Sequence, residues 1–185
     1  MDKFYVITNS EKDQDQSFTD MIVSYLKSHG KACQVQMAKR KQDGPYHYTD
    51  PEKIPEDTQC VIVLGGDGTL LQAARDVVHC RIPLLGINLG TLGFLAEVDR
   101  QSVYQALDKL MRGDYEVEER MMLSGTVYRG NQVIGSDLAL NDIVIGSHAC
   151  IRKSFHIQTI WYRPGRSYCI VPDRCMHQWN PGLYH

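Results

Sequence analysis

The pentapeptide Gly65-Gly66-Asp67-Gly68-Thr69 lies between an apolar run, CVIVL at 60–64, and a segment in which Leu70, Leu71, Ala74, Val77 and Val78 recur at helical spacing. A short run without polar residues reads as a strand buried on both faces, as in parallel sheets. The periodic segment reads as a helix. A second buried-looking run, PLLGIN at 83–88, follows. Strand, glycine turn, helix and strand make a βαβ unit with a right-handed crossover. Parallel strands need helices over both faces of their sheet, so this unit restricts the fold class strongly.

The flanking sequence extends the pattern. KFYVITN at 3–9 is β-rich. Phe18, Met21, Ile22, Tyr25 and Leu26 then recur at helical spacing until Gly30 supplies a stop. ACQVQM at 32–37 predicts a strand, and residues 39–58 are polar with Pro45, Pro51 and Pro55, which predicts an exposed loop. Val103, Leu107, Leu110 and Met111 predict a helix over about 100–112. The expected fold class is α/β, with a doubly wound, mostly parallel N-terminal sheet layer. From Tyr115 the texture changes to short β-type runs (MLSGTVY, QVIGSDLAL, DIVIG) separated by turn signals such as RGNQ, so an incomplete β-rich domain is expected to follow.

Composition narrows the function. A chain of 185 residues accommodates one domain, or one domain and part of another. With 43% hydrophobic and 23% charged residues it reads as globular, and a net charge of -2 gives no electrostatic reason to expect nucleic acid or an anionic membrane as partner. No run approaches the roughly 18 apolar residues of a membrane span, and the chain opens on strand-like KFYVIT rather than on a basic segment and apolar core of a signal. A cytoplasmic location is the expectation. The six cysteines are scattered without a CxxC pair, so free thiols are expected. The seven histidines show no HxxxH or HExxH spacing, and no metal site is assigned.

The chemistry centres on the glycine turn. Without a Cβ, Gly65, Gly66 and Gly68 let the backbone approach a phosphate, and the following helix N-terminus offers N–H donors and partial positive charge. A GG or DG pair alone is commonly an ordinary tight turn. An ordinary turn, however, needs no carboxylate at the carboxyl end of a buried strand, where ligands bind in open α/β sheets. Asp67 is therefore the candidate functional carboxylate. The turn is not a P-loop, because no lysine follows it to reach phosphates, and it is not the GxGxxG dinucleotide fingerprint.

VIVLGGDGTLL (61–71), GINLGTLGFL (86–95), GDYEVEERMML (113–123) and ALNDIVI (139–145) resemble, in that order, successive stretches of bacterial ATP/polyphosphate NAD kinases. GGDGT alone is shared with lipid and sphingosine kinases and indicates only phosphoryl transfer; the NLGTLGFL and LND segments narrow the match. The resemblance covers roughly residues 1–150. It implies transfer of the ATP γ-phosphoryl group to the adenosine ribose 2′-hydroxyl of NAD, giving NADP, with a divalent ion such as Mg2+. It assigns Asp67 as proton acceptor; Asp67, Gly68, Phe94, Asn141 and Asp142 to NAD; and Gly65, Gly66, Gly68 and Thr69 to the ATP phosphates. Unaided, Phe94 would be read as core and Asn141-Asp142 as a turn. Gln72 stands where many relatives carry a basic residue. The implied partners are the small molecules NAD and ATP, and a homo-oligomer is expected.

The resemblance divides the chain into an α/β nucleotide-binding part at 1–112, the start of a β-rich NAD-binding part at 113–150, and an atypical tail at 151–185. The family's TPTGSTAYSLSAGGP stretch is not recognisable in that tail. Residues 154–185 hold both tryptophans, three of the seven prolines, three of the seven histidines and two of the six cysteines. Such enrichment fits either a shifted reading frame near residue 150 or a divergent, selected C-terminus. Either way impaired turnover is expected. The alternatives are a lipid or sphingosine kinase relative and an inactive nucleotide-binding module.

Overall fold

Every residue of CVIVLG is buried in the strand it forms, β3 (Cys60–Gly65). This computed structural model describes residues 1–38, 49–90, 93–96, 98–140, 157–160 and 166–171, the last two stretches as backbone. In chain order β1 (Lys3–Asn9), α1 (Ser17–Ser28) and β2 (Ala32–Ala38) precede β3, and α2 (Asp67–Asp76), β4 (Leu84–Asn88) and α3 (Val103–Arg112) follow it. The strands lie in the order β2-β1-β3-β4 and all pair parallel; Val6 of β1, for example, faces Val35 of β2 and Ile62 of β3.

Successive strand residues point to opposite faces, and each face has its own cover. Phe4, Val6, Ile62, Leu64, Leu85 and Ile87 meet Ile22 and Leu26 of α1 and Leu107 and Leu110 of α3. Tyr5, Ile7, Val61, Val63 and Leu84 meet Leu70, Ala73 and Ala74 of α2 on the other face. At about 1.5–3 kcal/mol for each large apolar side chain removed from water, this two-sided burial selects the doubly wound arrangement that the sequence predicts. The polar loop, described from residue 49, holds a short 3-10 turn, Pro51–Lys53, capped by Asp50, and is not exposed throughout, since Thr49 and Ile54 are buried. The chain winds outward from β1 to β2 on one side and from β3 to β4 on the other. The order therefore reverses between β1 and β3, and in open α/β sheets such a reversal is where ligands bind, beyond the carboxyl ends of the strands, here Asn9 and Gly65.

Gly113, at φ 82, ends α3. The next segment differs from the run of short strands expected. GDYEVEERMML and MLSGTVY share one continuous strand of 14 residues, β5 (Glu116–Arg129). Its second half forms a hairpin with β6 (Gln132–Leu140) around Gly130, at φ 59, and also pairs antiparallel with β7 (Ile157–Ile160). Its first half pairs with β8 (Arg166–Val171), which lies parallel to β4. One strand thus belongs to two sheets because its partners change along its length. DIVIG lies outside the described residues. Among the described residues, Cys33, Cys60 and Cys80 are free thiols, and no helix is long and apolar enough to cross a membrane.

Candidate active site at the carboxyl end of the parallel sheet

Gly65 closes β3, Gly66 caps α2 in an extended conformation, and Asp67 is the first residue of that helix. A carboxylate in the first turn is favoured by the helix dipole. Gly65 is required sterically, since a Cβ there would overlap the Thr69 side chain. Thr69 Oγ1 accepts a hydrogen bond from Asn9 Nδ2 at 3.1 Å, which ties the end of β1 to the start of α2. The Thr69 N–H donates to the Gly66 carbonyl at 2.9 Å. The N–H groups of Asp67 and Gly68 have no acceptor within the helix. Gly68 faces open space, with nothing within 4 Å of where a Cβ would stand.

The NLGTLGFL segment builds a cradle for Asp67. Buried Asn88, at the end of β4, accepts the Gly90 N–H on Oδ1 at 2.8 Å, and the Leu89 N–H donates to the Gly65 carbonyl at 2.7 Å. The loop is thereby held on the glycine turn. Asp67 Oδ2 accepts the Phe94 N–H at 2.8 Å, while Oδ1 accepts those of Leu95 and Ala96 at 3.2 and 3.1 Å. A Cβ at Gly93 would overlap the carboxylate, so the glycine before Phe94 serves the close approach of Asp67. Partial burial pushes the Asp67 carboxyl up, but the amides of Phe94, Ala96 and Leu95, helped by the Lys12 charge, outweigh it and hold the group below its ordinary range. Each carboxylate oxygen offers two lone pairs. Among the described residues Oδ1 uses both on amides and Oδ2 uses one.

The structure corrects the unaided reading of Phe94 as core, because its side chain is 95% exposed beside the site. A residue with no signal in the local sequence also joins the site. Lys12, from the loop between β1 and α1, places its ammonium group against Gly66, 2.6 Å from where a Cβ would stand there, and close to Gly90. A search for a lysine following the glycine turn misses it, because it comes from a different crossover. Gln72 Oε1 accepts a bond from Arg75 Nη2 at 2.9 Å, and Arg75 Nη1 donates to Asp137 of β6 at 3.1 Å, so this position orients a link between α2 and β6. Asn141 and Asp142 lie outside the described residues, immediately after buried Leu140 at the end of β6.

A family model described as the ATP-NAD kinase N-terminal domain matches residues 4–115, more than half of the chain. The chain belongs to the NAD kinase family. An NAD kinase of Lachnospira eligens is 45% identical over 153 residues, covering 82% of this chain and 52% of its own. One from Lachnoclostridium phytofermentans is 44% identical over 147 residues, covering 78% and 50%. A crystal structure of yeast NADH kinase complexed with NADH matches 75% of this chain and 46% of its own at 21% identity, with a TM-score of 0.49. This chain spans about half the length of the curated NAD kinases it matches. The glycine turn and the Asp67 cradle fall within the family-matched residues; Asn141 and Asp142 fall beyond them. Membership of the NAD kinase family does not favour a lipid or sphingosine kinase.

Proposed function

We propose that this chain carries the phosphoryl-transfer site of an NAD kinase, moving the ATP γ-phosphoryl group to the adenosine ribose 2′-hydroxyl of NAD. The observation that carries the reading is the bonding of Asp67. Among the described residues Oδ1 accepts two amides and Oδ2 one, so Oδ2 is the oxygen that takes the hydroxyl proton in this reading. A carboxylate held below its ordinary range is a weak base. Phosphoryl transfer suits it, because catalysis there rests mainly on alignment and charge stabilisation. Gly65, Gly66, Gly68 and Thr69 border the phosphates, with the N–H groups of Asp67 and Gly68 as donors. Phe94, Asn141 and Asp142 contact NAD, an ionised acceptor suiting a ribose hydroxyl.

No group of three or more His, Cys, Asp or Glu side chains among the described residues is arranged to hold a metal. By the resemblance a divalent ion such as Mg2+ would come with the ATP phosphates and supply charge neutralisation there. By the same resemblance residues 1–112 form the nucleotide-binding part and 113–150 the start of the NAD-binding part, in a cytoplasmic homo-oligomer whose size sedimentation measures. A coupled assay for NADP at saturating NAD and MgATP tests the activity. Residues 151–185 lack a recognisable TPTGSTAYSLSAGGP stretch, and misplacement of about 1 Å can cost roughly 100-fold. Turnover below about 1 s⁻¹, the low end of common enzyme rates, is therefore expected. The same missing stretch favours a second reading, a nucleotide-binding module without turnover. Thermal stabilisation by NAD or ATP with no NADP formed selects it.

A further inference from the structure

We propose that Lys12 is a phosphate-binding residue of this site, supplying from the β1–α1 loop the point charge that the glycine turn lacks in its own sequence. The inference rests on the reading that the turn takes a nucleotide's phosphate chain. Such a chain brings several negative charges beside Asp67, which is itself ionised. Like charges at this range repel, so a cation is needed among them. An ammonium group on a flexible stem is a suitable partner for phosphate oxygens.

The position of Lys12 is built rather than incidental. Its own N–H and that of Asp13 both donate to the Asn9 carbonyl at 3.1 Å, and the Glu11 N–H donates to Asn9 Oδ1 at 2.9 Å. Asp13 is 3% exposed and accepts the Phe18 and Thr19 N–H groups, at 3.3 and 2.9 Å, together with the Thr19 hydroxyl, whose oxygen also lies 3.0 Å from Thr8 Oγ1. Gln16 closes the loop in the left-handed conformation, φ 57. The backbone on both sides of Lys12 is therefore pinned, to the end of β1 and to the first turn of α1. From there the side chain lies back onto Gly66, where the missing Cβ makes room for it. Asn9 serves twice, since its carbonyl holds Lys12 and its side-chain amide holds Thr69. Lysine and glycine turn are thus referred to one strand end.

The test is calorimetric titration of the full chain with MgATP, with inorganic tripolyphosphate and with uncharged adenosine. Lys12→Ala and Lys12→Gln, the second keeping a polar side chain without the charge, are expected to raise Kd for ATP and tripolyphosphate about tenfold or more, the usual worth of a hydrogen bond to a charged group. Adenosine affinity should not move. Lys12→Arg should restore most of the loss, and Lys53→Ala, which also removes an exposed positive charge, should have no effect. Unchanged tripolyphosphate affinity in Lys12→Ala overturns the proposal while leaving the nucleotide reading intact. Equal losses for adenosine and ATP overturn it as well, by showing a general disturbance. If the parent chain binds neither ATP nor tripolyphosphate, both the proposal and the reading beneath it fail.

Discussion

The Phe94 N–H donates to Asp67 Oδ2 at 2.8 Å, so the carboxylate at the head of α2 and the backbone of the loop beyond β4 are one hydrogen-bonded unit. Asp67 therefore has two tasks, proton acceptance and the anchoring of the residues that present Phe94. Asp67→Asn separates them poorly. Its amide oxygen replaces one acceptor, but its NH2 group turns a donor toward an N–H donor or toward the substrate hydroxyl. NADP formation is expected to fall by about 10²- to 10⁴-fold, and the amides of 94–96 should exchange hydrogen faster. Turnover above about a tenth of the parent's would remove Asp67 from the proton-accepting role; unchanged exchange would remove it from the anchoring role.

The pH dependence follows from the same bonds. The Asp67 carboxyl is lowered from its ordinary value of 3.8, because the amides and Lys12 outweigh the effect of burial. A group lowered by folding stabilises the fold above its unfolded pKa, and that contribution is lost only as pH falls through the folded value. Asp67 should thus stay ionised, with its loop anchored, throughout the neutral and mildly acidic range. A carbon-detected NMR titration of the Asp67 carboxyl checks this, and a midpoint at or above the ordinary value would contradict it.

The glycines of the turn should separate by mechanism. Gly65→Ala forces a methyl group into the Thr69 side chain and is expected to cost about 1–3 kcal/mol, as overpacking does. Gly68→Ala meets nothing within 4 Å; it should leave stability unchanged or raise it by up to about 1 kcal/mol, since alanine is the better helix former. Its effect should fall instead on nucleotide affinity. Thermal melts with and without ATP measure both, and a strongly destabilised Gly68→Ala would show that the open space is not there.

Asn141→Ala and Asp142→Ala should weaken NAD binding much more than ATP binding, because the family resemblance assigns both to the nucleotide that is phosphorylated. Parallel titrations with the two ligands decide it; equal losses would end that division of labour.

The parallel sheet, its helices and the glycine turn were legible in the sequence because each is written in neighbouring residues. Unbroken apolar runs along β1 and β3 report strands covered on both faces, the spacing of Ile22 and Leu26 reports the buried side of α1, and Gly30 marks its end. Asp67 was legible too, since a carboxylate between glycines at a strand end has little structural purpose by itself. What the carboxylate bonds to was not. The amides of 94–96 reach it only because β3 and β4 are neighbours in register, with Gly65 opposite Asn88. Lys12 reaches Gly66 only because β1 lies beside β3. The extension of the expected MLSGTVY strand back to Glu116 in β5 likewise depends on which partner each half finds. Periodicity records whether a residue is covered, whereas the partner of a polar atom depends on which chain ends the sheet order brings together. In this protein that order places Asn9, Lys12, Asp67 and Asn88 together at the carboxyl end of the parallel sheet.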